Sequence, residues 1–314
     1  MTDIDWSLFD RRYPVENGIV NALPPSLAKQ HTVADPAVKT FAAMHAKVMK
    51  GRSKADYLND QTAMADLQMK FYDTGALGFQ VMDDTDQANG GVFWWKVKRL
   101  GEYDAKLMKG KTILFVGAGN GRLVRFFHAK GFKVVATDIS RNMLEVGKAK
   151  NESLGINDVT YVAQNAEIRF PFKSGAFDNA YSLCVMNHIV NWDNYLLEKM
   201  RCLKPGGVML ERLPNYDLKW FWDTQGVITQ GIEIKAQHCK PSTVTAKLLA
   251  LGMAGRSEVW THDHQTTLEV LSFTPRLGRS LNQALYEIRS DFEDVLKYRR
   301  SDGKGIYTMF KVVK

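Results

Sequence analysis

The sequence has no uninterrupted apolar run approaching 18 residues, no C-x-x-C pair, and no run of Lys and Arg longer than two. The first absence gives no segment with the pattern of a membrane span. The second, with three widely spaced cysteines at Cys184, Cys202 and Cys239, argues against a disulfide framework and for a reducing, cytoplasmic setting. The third bears on the formal net charge of +8. A positive field attracts phosphate, carboxylate or nucleic acid, but cations dispersed over solvated faces account for it equally. The N-terminus, MTDIDWSLFD, carries acids at Asp3 and Asp5 and no apolar segment, so it is not expected to be a secretory signal. No internal repeat or low-complexity tract is present. With 45% apolar and 24% charged residues, the chain is expected to fold around a sizeable core.

Residues 1 to about 35, with Pro14, Pro24 and Pro25, read as an irregular extended arm. From Pro36 to Leu100 the apolar spacing is mainly helical, with Val38, Phe41, Ala42 and His45 on one face and Ala63, Leu67 and Phe71 on another. A glycine-containing break is expected at Thr74 to Leu77, and an aromatic helix start at Phe93, Trp94 and Trp95 after Asn89-Gly90-Gly91. Beyond Lys111 short apolar runs alternate with helices. Strands are expected at Thr112–Val116, Lys133–Thr137, Val159–Ala163, Asn179–Cys184, Val208–Leu213, Arg256–Thr261 and Ile306–Val313. Helices are expected at Arg122–Lys130, Asn142–Leu154, Trp192–Arg201, Thr243–Leu251 and Leu281–Tyr298. This is the pattern of an α/β chain: a Rossmann-like, doubly wound, mainly parallel seven-stranded sheet. An N-terminal arm and helical cap occupies 1–110, and the sheet domain 111–314, with insertions at about 214–240 and 262–305.

The run VGAGNGRL, Val116 to Leu123, places backbone N–H groups and a helix start at the carboxyl end of a strand, where open α/β sheets bind ligands. A dinucleotide site wants G-x-G-x-x-G, its last glycine leaving space for a pyrophosphate. Here that position is Arg122, and the glycines run Gly117, Gly119, Gly121. That spacing suits a nucleoside without phosphates. Asp138 ends the strand KVVATD, where a carboxylate can accept both ribose hydroxyls.

Six elements in order make the segment from about 110 to 213 resemble the class I S-adenosylmethionine-dependent methyltransferases, in the small-molecule branch with the UbiE-like and Methyltransf_11-type enzymes. They are VGAGNG; TDISRNMLEVGKAK; Gln164-Asn165-Ala166-Glu167 with Phe170-Pro171-Phe172; Ala176-Phe177-Asp178; Cys184 to Ile189 in place of an L-H-H stretch; and the turn Met200 to Gly207. The resemblance implies S-adenosyl-L-methionine as cofactor and S-adenosyl-L-homocysteine as product. It implies that the glycine turn, Gly117, Ala118, Gly119 and Gly121, lines the cofactor, with Gly117 and Gly119 under its methionine part. Asp138 would bind the ribose hydroxyls and Ile139 pack on the adenine. Asn165 would face the adenine amino group, the Ala166 amide a ring nitrogen, and the Cys184 backbone the amino acid portion. Two positions depart from the family. Phe115 stands where an acidic residue is usual, and Asn165 where Asp is usual. Tyr72 and Asp73, in KFYDTG, are the first candidates to replace the missing carboxylate near the cofactor ammonium.

Methyl transfer from a sulfonium depends chiefly on positioning, and a base is needed only where the acceptor must shed a proton. His188 is the best-placed base and Tyr72 a second catalytic candidate. No metal is expected, although His238, Cys239, His262 and His264 contain metal-ligating types. Asn187-His188 is not the N/D-P-P-Y/F signature of base amino methylation. Tyr216, Trp220, Phe221 and Trp222, with Lys219 and Arg212 at their base, are expected to form a lid for a small, flat or anionic acceptor; the same aromatics would equally build an insertion core or a homodimer interface. O- or N-methylation of a small molecule is the leading reading. An RNA methyltransferase and a non-catalytic S-adenosylmethionine-binding protein stand beside it, and a nucleic-acid partner is disfavoured by the absence of a separate basic module.

Overall fold

The structure is a computed structural model that describes residues 4–27, 50–51, 60–88, 92–215, 217, 239–262, 299–300 and 307–314. The expected lid around Tyr216 to Trp222, the helix Leu281–Tyr298, the face formed by Val38, Phe41, Ala42 and His45, and the side chains of Trp94 and Trp95 lie outside them.

Among the described residues ten strands form one sheet. They are β1 (Val15–Glu16), β2 (Ile19–Asn21), β3 (Thr112–Val116), β4 (Lys133–Asp138), β5 (Thr160–Ala163), β6 (Phe177–Leu183), β7 (Leu203–Pro214), β8 (Ser257–His262), β9 (Arg299–Arg300) and β10 (Tyr307–Val313). The order is β1-β2-β5-β4-β3-β6-β7-β10-β8-β9. The seven strands read from the sequence are its uninterrupted middle, β5 to β8, and three short strands extend its two edges. β5, β4, β3, β6 and β7 run parallel, whereas β10 is antiparallel to both β7 and β8.

Six α-helices are described: α1 (Gln61–Ala88), α2 (Val92–Leu107), α3 (Arg122–Ala129), α4 (Arg141–Ser153), α5 (Trp192–Cys202) and α6 (Pro241–Ala250). Alternation along the strands divides the core into two layers. Leu114, Val116, Val135, Val162 and Ala180 face Leu196 and Met200 of α5 and Leu248 of α6. Ile113, Phe115, Ala136 and Tyr161 face Val124 and Phe127 of α3 and Leu144 of α4. Strands covered on both faces explain the near-continuous apolar runs of β3 and β5.

Two expectations give way to the structure. The arm is not simply extended: β1 and β2 form a hairpin, and β2 pairs in parallel with β5. Its turn is Asn17-Gly18, with φ of 52° and 75°, the Asn-Gly dipeptide whose left-handed backbone a two-residue hairpin requires. The break at Thr74 to Leu77 is absent as well, because α1 runs through Gly75 and Gly78. Glycine costs about 1 kcal/mol in a helix interior, but Asp73 and Ala76 are fully buried there. Packing of α1 against α4 outweighs the propensity.

The sheet reverses direction at β3: β4 and β5 lie to one side, β6 and β7 to the other. That reversal opens a crevice at the carboxyl end of β3, where VGAGNG leaves the strand.

Candidate active site

Gly117, Gly119 and Gly121 all have left-handed backbones, with φ of 70°, 55° and 77°. A Cβ at Gly117 would also collide with the side chain of Val185, in the loop after β6. The turn thus needs glycine for its backbone and for its closeness to the neighbouring loop. Ala118 donates its amide to the Thr137 carbonyl at 2.9 Å, and Gly121 caps α3. The missing third glycine has a counterpart elsewhere: a Cβ on Gly147 of α4 would stand 2.8 Å from the Asn120 carbonyl carbon. Arg122 pairs with Asp83 of α1, as does Arg125, at 3.1 Å. The position that would admit a pyrophosphate instead clamps the cap helix.

Asp138, at the end of β4, accepts from the Gly119 amide at 2.8 Å and from the Ser140 amide at 3.0 Å. It is half-buried, and desolvation raises its pKa to about 6 against those two hydrogen bonds. Ile139 packs beside Leu27, Ala65 and Met69. Ser140 caps α4 and donates to Asp73 of α1 at 2.6 Å. Asp73 is fully buried and also accepts from the Asn142 amide at 3.3 Å, so this carboxylate is directed at the N-terminus of α4.

Beyond β5, Gln164 donates its amide to the Asp138 carbonyl at 2.9 Å, which holds the two strand ends together. Asn165 follows, 6% exposed, its side-chain oxygen accepting from the Glu167 amide at 2.9 Å; Ala166 is half-buried beside it. Glu167 in turn accepts from the amides of Val190, at 2.6 Å, and Asn191, at 3.0 Å. Burial raises its pKa against those bonds. Sequence reasoning gave Glu167 no role beyond its motif, yet it ties the β5 loop to the loop that carries His188.

Cys184 leaves β6 with a φ of 56° and donates its amide to the Arg212 carbonyl at 2.7 Å. Four residues on, His188 Nε2 lies 3.5 Å from the Tyr72 hydroxyl. The rings meet edge to face at 6.2 Å, and Tyr72 stacks on Phe79 at 5.8 Å. Burial raises the Tyr72 pKa, and nearby Asp138 and Cys184 raise it further. Tyr72, His188, Asp138 and Cys184 therefore converge from α1, the β6 loop and the end of β4. No described contact brings Asn165 or Ala166 to Tyr72 or His188.

Phe115 is 2% exposed, its ring 5.0 Å from Tyr181 and 6.2 Å from Phe127. Beyond Tyr181 lies a polar cluster that sequence reasoning missed. Tyr181 donates to Asp104 of α2 at 2.8 Å, and Asp104 pairs with Arg212 at 2.6 Å, both acid and base fully buried. Arg212 was expected at the base of a lid as a cation for an anionic acceptor. It is instead paired with Asp104 of α2.

Among the described residues no group of three or more His, Cys, Asp or Glu is arranged to hold a metal. His238 and His264 lie outside those residues, as does the side chain of His262. No described helix is long and apolar enough to cross a membrane.

Residues 114–210 match the Methyltransf_11 family model, described as a methyltransferase domain. The ubiquinone/menaquinone biosynthesis C-methyltransferase UbiE of Shewanella baltica is 31% identical over 169 residues, covering 51% of this chain and 66% of that protein, just under two thirds. UbiE of Shewanella frigidimarina is 33% identical over 150 residues, 46% of this chain and 58% of that one. A solved structure of phosphoethanolamine N-methyltransferase 2 from Haemonchus contortus aligns at 18% identity with a TM-score of 0.46, covering 74% of this chain and 59% of that one. Within this chain, residues 114–210 form a methyltransferase domain of the Methyltransf_11 type.

Proposed function

We propose that the chain transfers a methyl group from S-adenosylmethionine to a small organic acceptor, with oxygen or nitrogen as the acceptor atom. The observation that carries this reading is the meeting of Tyr72 and His188 beside Asp138 and the glycine turn. The residues fit the cofactor. Gly117 and Gly119 carry partly exposed, left-handed backbone, and Asp138 is a half-buried carboxylate at the strand end. Arg122, held by Asp83, fills the side on which a dinucleotide would need space.

When bound, S-adenosylmethionine supplies a methyl group already activated by its sulfonium. The chain's own residues then have three tasks. Asp138 binds and orients through the ribose hydroxyls, with the glycine turn beneath the methionine part, Ile139 against the adenine, and Asn165 and Ala166 at its edge. Tyr72 and the Cys184 backbone border the amino acid end, where Phe115 supplies no charge. His188 takes the acceptor's proton, and the Tyr72 hydroxyl, 3.5 Å from Nε2, orients that imidazole. Proton transfer of this kind contributes about 10²–10⁴ in rate.

Carbon methylation is the second reading, favoured by the name of the UbiE relatives. An enol or phenol attacking through carbon also sheds a proton, so the same pair serves it. The test is incubation of the full chain with methyl-labelled S-adenosylmethionine and a metabolite pool, followed by mass spectrometry. A labelled small molecule supports the reading. Label found only in RNA, or in nothing while the cofactor binds, overturns it in favour of the RNA or non-catalytic alternatives.

A further inference from the structure

Asn187 is 1% exposed, and neither its side-chain oxygen nor its side-chain nitrogen has a hydrogen-bond partner. Among the described residues it is the one whose two amide atoms are both unmatched. A buried polar group left in that condition carries an uncompensated desolvation cost, and folded proteins seldom retain one without a use.

The surrounding loop is not loose. Asn187 is the middle residue of a single 3-10 turn, Met186–His188, whose carbonyl at Met186 accepts from the Trp192 indole at 2.9 Å. The His188 amide donates to the Val185 carbonyl at 2.8 Å, and Glu167 accepts from the Val190 and Asn191 amides just beyond the turn. Asn191, the next asparagine in this segment, uses its side chain to cap α5. Asn187 is therefore fixed in place with its hydrogen-bonding capacity unspent, two residues from the Val185 side chain that meets Gly117 and next to the imidazole that faces Tyr72.

We infer that Asn187 is a specificity-determining contact for the methyl acceptor. The inference rests on the methyltransferase reading above. A carboxamide offers one acceptor and two N–H donors without charge, which matches a hydroxyl or an amide on the acceptor. An anionic acceptor would call for a cation, and among the described residues the two buried cations on β7 and α5 are already committed: Arg212 to Asp104, and Lys199 to Glu211. Tyr72 and Phe79 supply stacked aromatic surface in the same region. The acceptor class is thus a neutral, hydroxylated or amide-bearing aromatic.

The test measures the full chain saturated with S-adenosylhomocysteine, as wild type, Asn187→Leu and Asn187→Ala. The probes are catechol and 4-hydroxybenzamide, against benzoate and phenyl phosphate. The expected result is binding of a neutral probe to wild type and about tenfold weaker binding to both variants, with S-adenosylhomocysteine affinity unchanged. Asn187→Leu is expected to melt no lower than wild type, since an apolar isostere removes the unmatched amide. Equal probe affinity in the variants would overturn the inference and assign those amide atoms to buried water. So would tighter binding of benzoate or phenyl phosphate, absence of any neutral-probe binding, or a large fall in the melting temperature of Asn187→Leu. A wild-type chain that fails to bind S-adenosylhomocysteine would instead remove the reading on which the inference stands.

Discussion

The Gly119 amide donates to Asp138 Oδ2 at 2.8 Å, joining the glycine turn after β3 to the carboxylate that ends β4. The two landmarks of the sequence, 19 residues apart, are hydrogen-bonded to each other. The turn is thereby pre-set around the group assigned to the ribose, so little reorganisation is required on binding.

The raised pKa of Asp138 gives that assignment a pH signature. Desolvation holds it at about 6, above the ordinary value of 3.8. Raising the pH through 6 ionises the group at a cost to the folded state, so its contribution to stability is fullest below about pH 4 and is lost as the pH passes 6. Ligand affinity runs the other way, because the ionised carboxylate is the better acceptor for two hydroxyls. S-adenosylhomocysteine affinity is expected to rise from pH 5 to pH 7 and then level off, and Asp138→Asn to flatten the profile. Calorimetry across that range checks it.

Tyr72 and His188 are expected to separate binding from turnover. His188→Gln should lower kcat by about 10²–10⁴ if the acceptor must lose a proton, leaving S-adenosylhomocysteine affinity within a few-fold of wild type. Tyr72→Phe, which removes only the hydroxyl 3.5 Å from the imidazole, should lower kcat less. Single-turnover kinetics with labelled cofactor reads both effects.

The Asp104–Arg212 pair fixes α2 to β7 with both side chains fully buried. Asp104→Ala strands a guanidinium and is expected to destabilise the fold by about 3–5 kcal/mol. An Asp104→Leu, Arg212→Met double variant should recover most of that loss, since matched apolar replacements often cost little. Chemical denaturation of the single and double variants measures the difference.

Phe115 is explained by its neighbours. An acid placed there would lie unpaired between Tyr181 and Phe127. Phe115→Leu is expected to cost under about 1.5 kcal/mol, whereas Phe115→Glu buries an unpaired charge and should lower the melting temperature sharply. A stable Phe115→Glu variant with tighter S-adenosylhomocysteine binding would show that the family's carboxylate could have been accommodated.

The parallel strands were legible because burial on both faces makes them continuous apolar runs; β3 matches its expected bounds residue for residue. The glycine turn and the end of β4 at Asp138 were legible because backbone geometry demands glycine and because motif spacing is local. What escaped sequence reading depends on partners far along the chain. Asp73 is read from its motif as a cofactor-side acid and Asp83 and Asp104 carry no motif at all, yet each reaches a cap or an arginine more than 30 residues away. Gly75 signalled a break that burial of α1 overrode. The Asn17-Gly18 hairpin carried a readable signal, obscured by the prolines around it.

The central claim is that the carboxyl end of β3 and β4 binds a sulfonium nucleoside through Asp138. Calorimetry of the wild-type chain and Asp138→Ala with S-adenosylmethionine, S-adenosylhomocysteine and NAD tests it most directly. The account predicts that wild type binds both S-adenosyl ligands and not NAD, and that Asp138→Ala loses at least about tenfold in affinity, the scale of a charge-assisted hydrogen bond. Binding of NAD alone, or undiminished S-adenosylhomocysteine affinity in a folded Asp138→Ala protein, would contradict it.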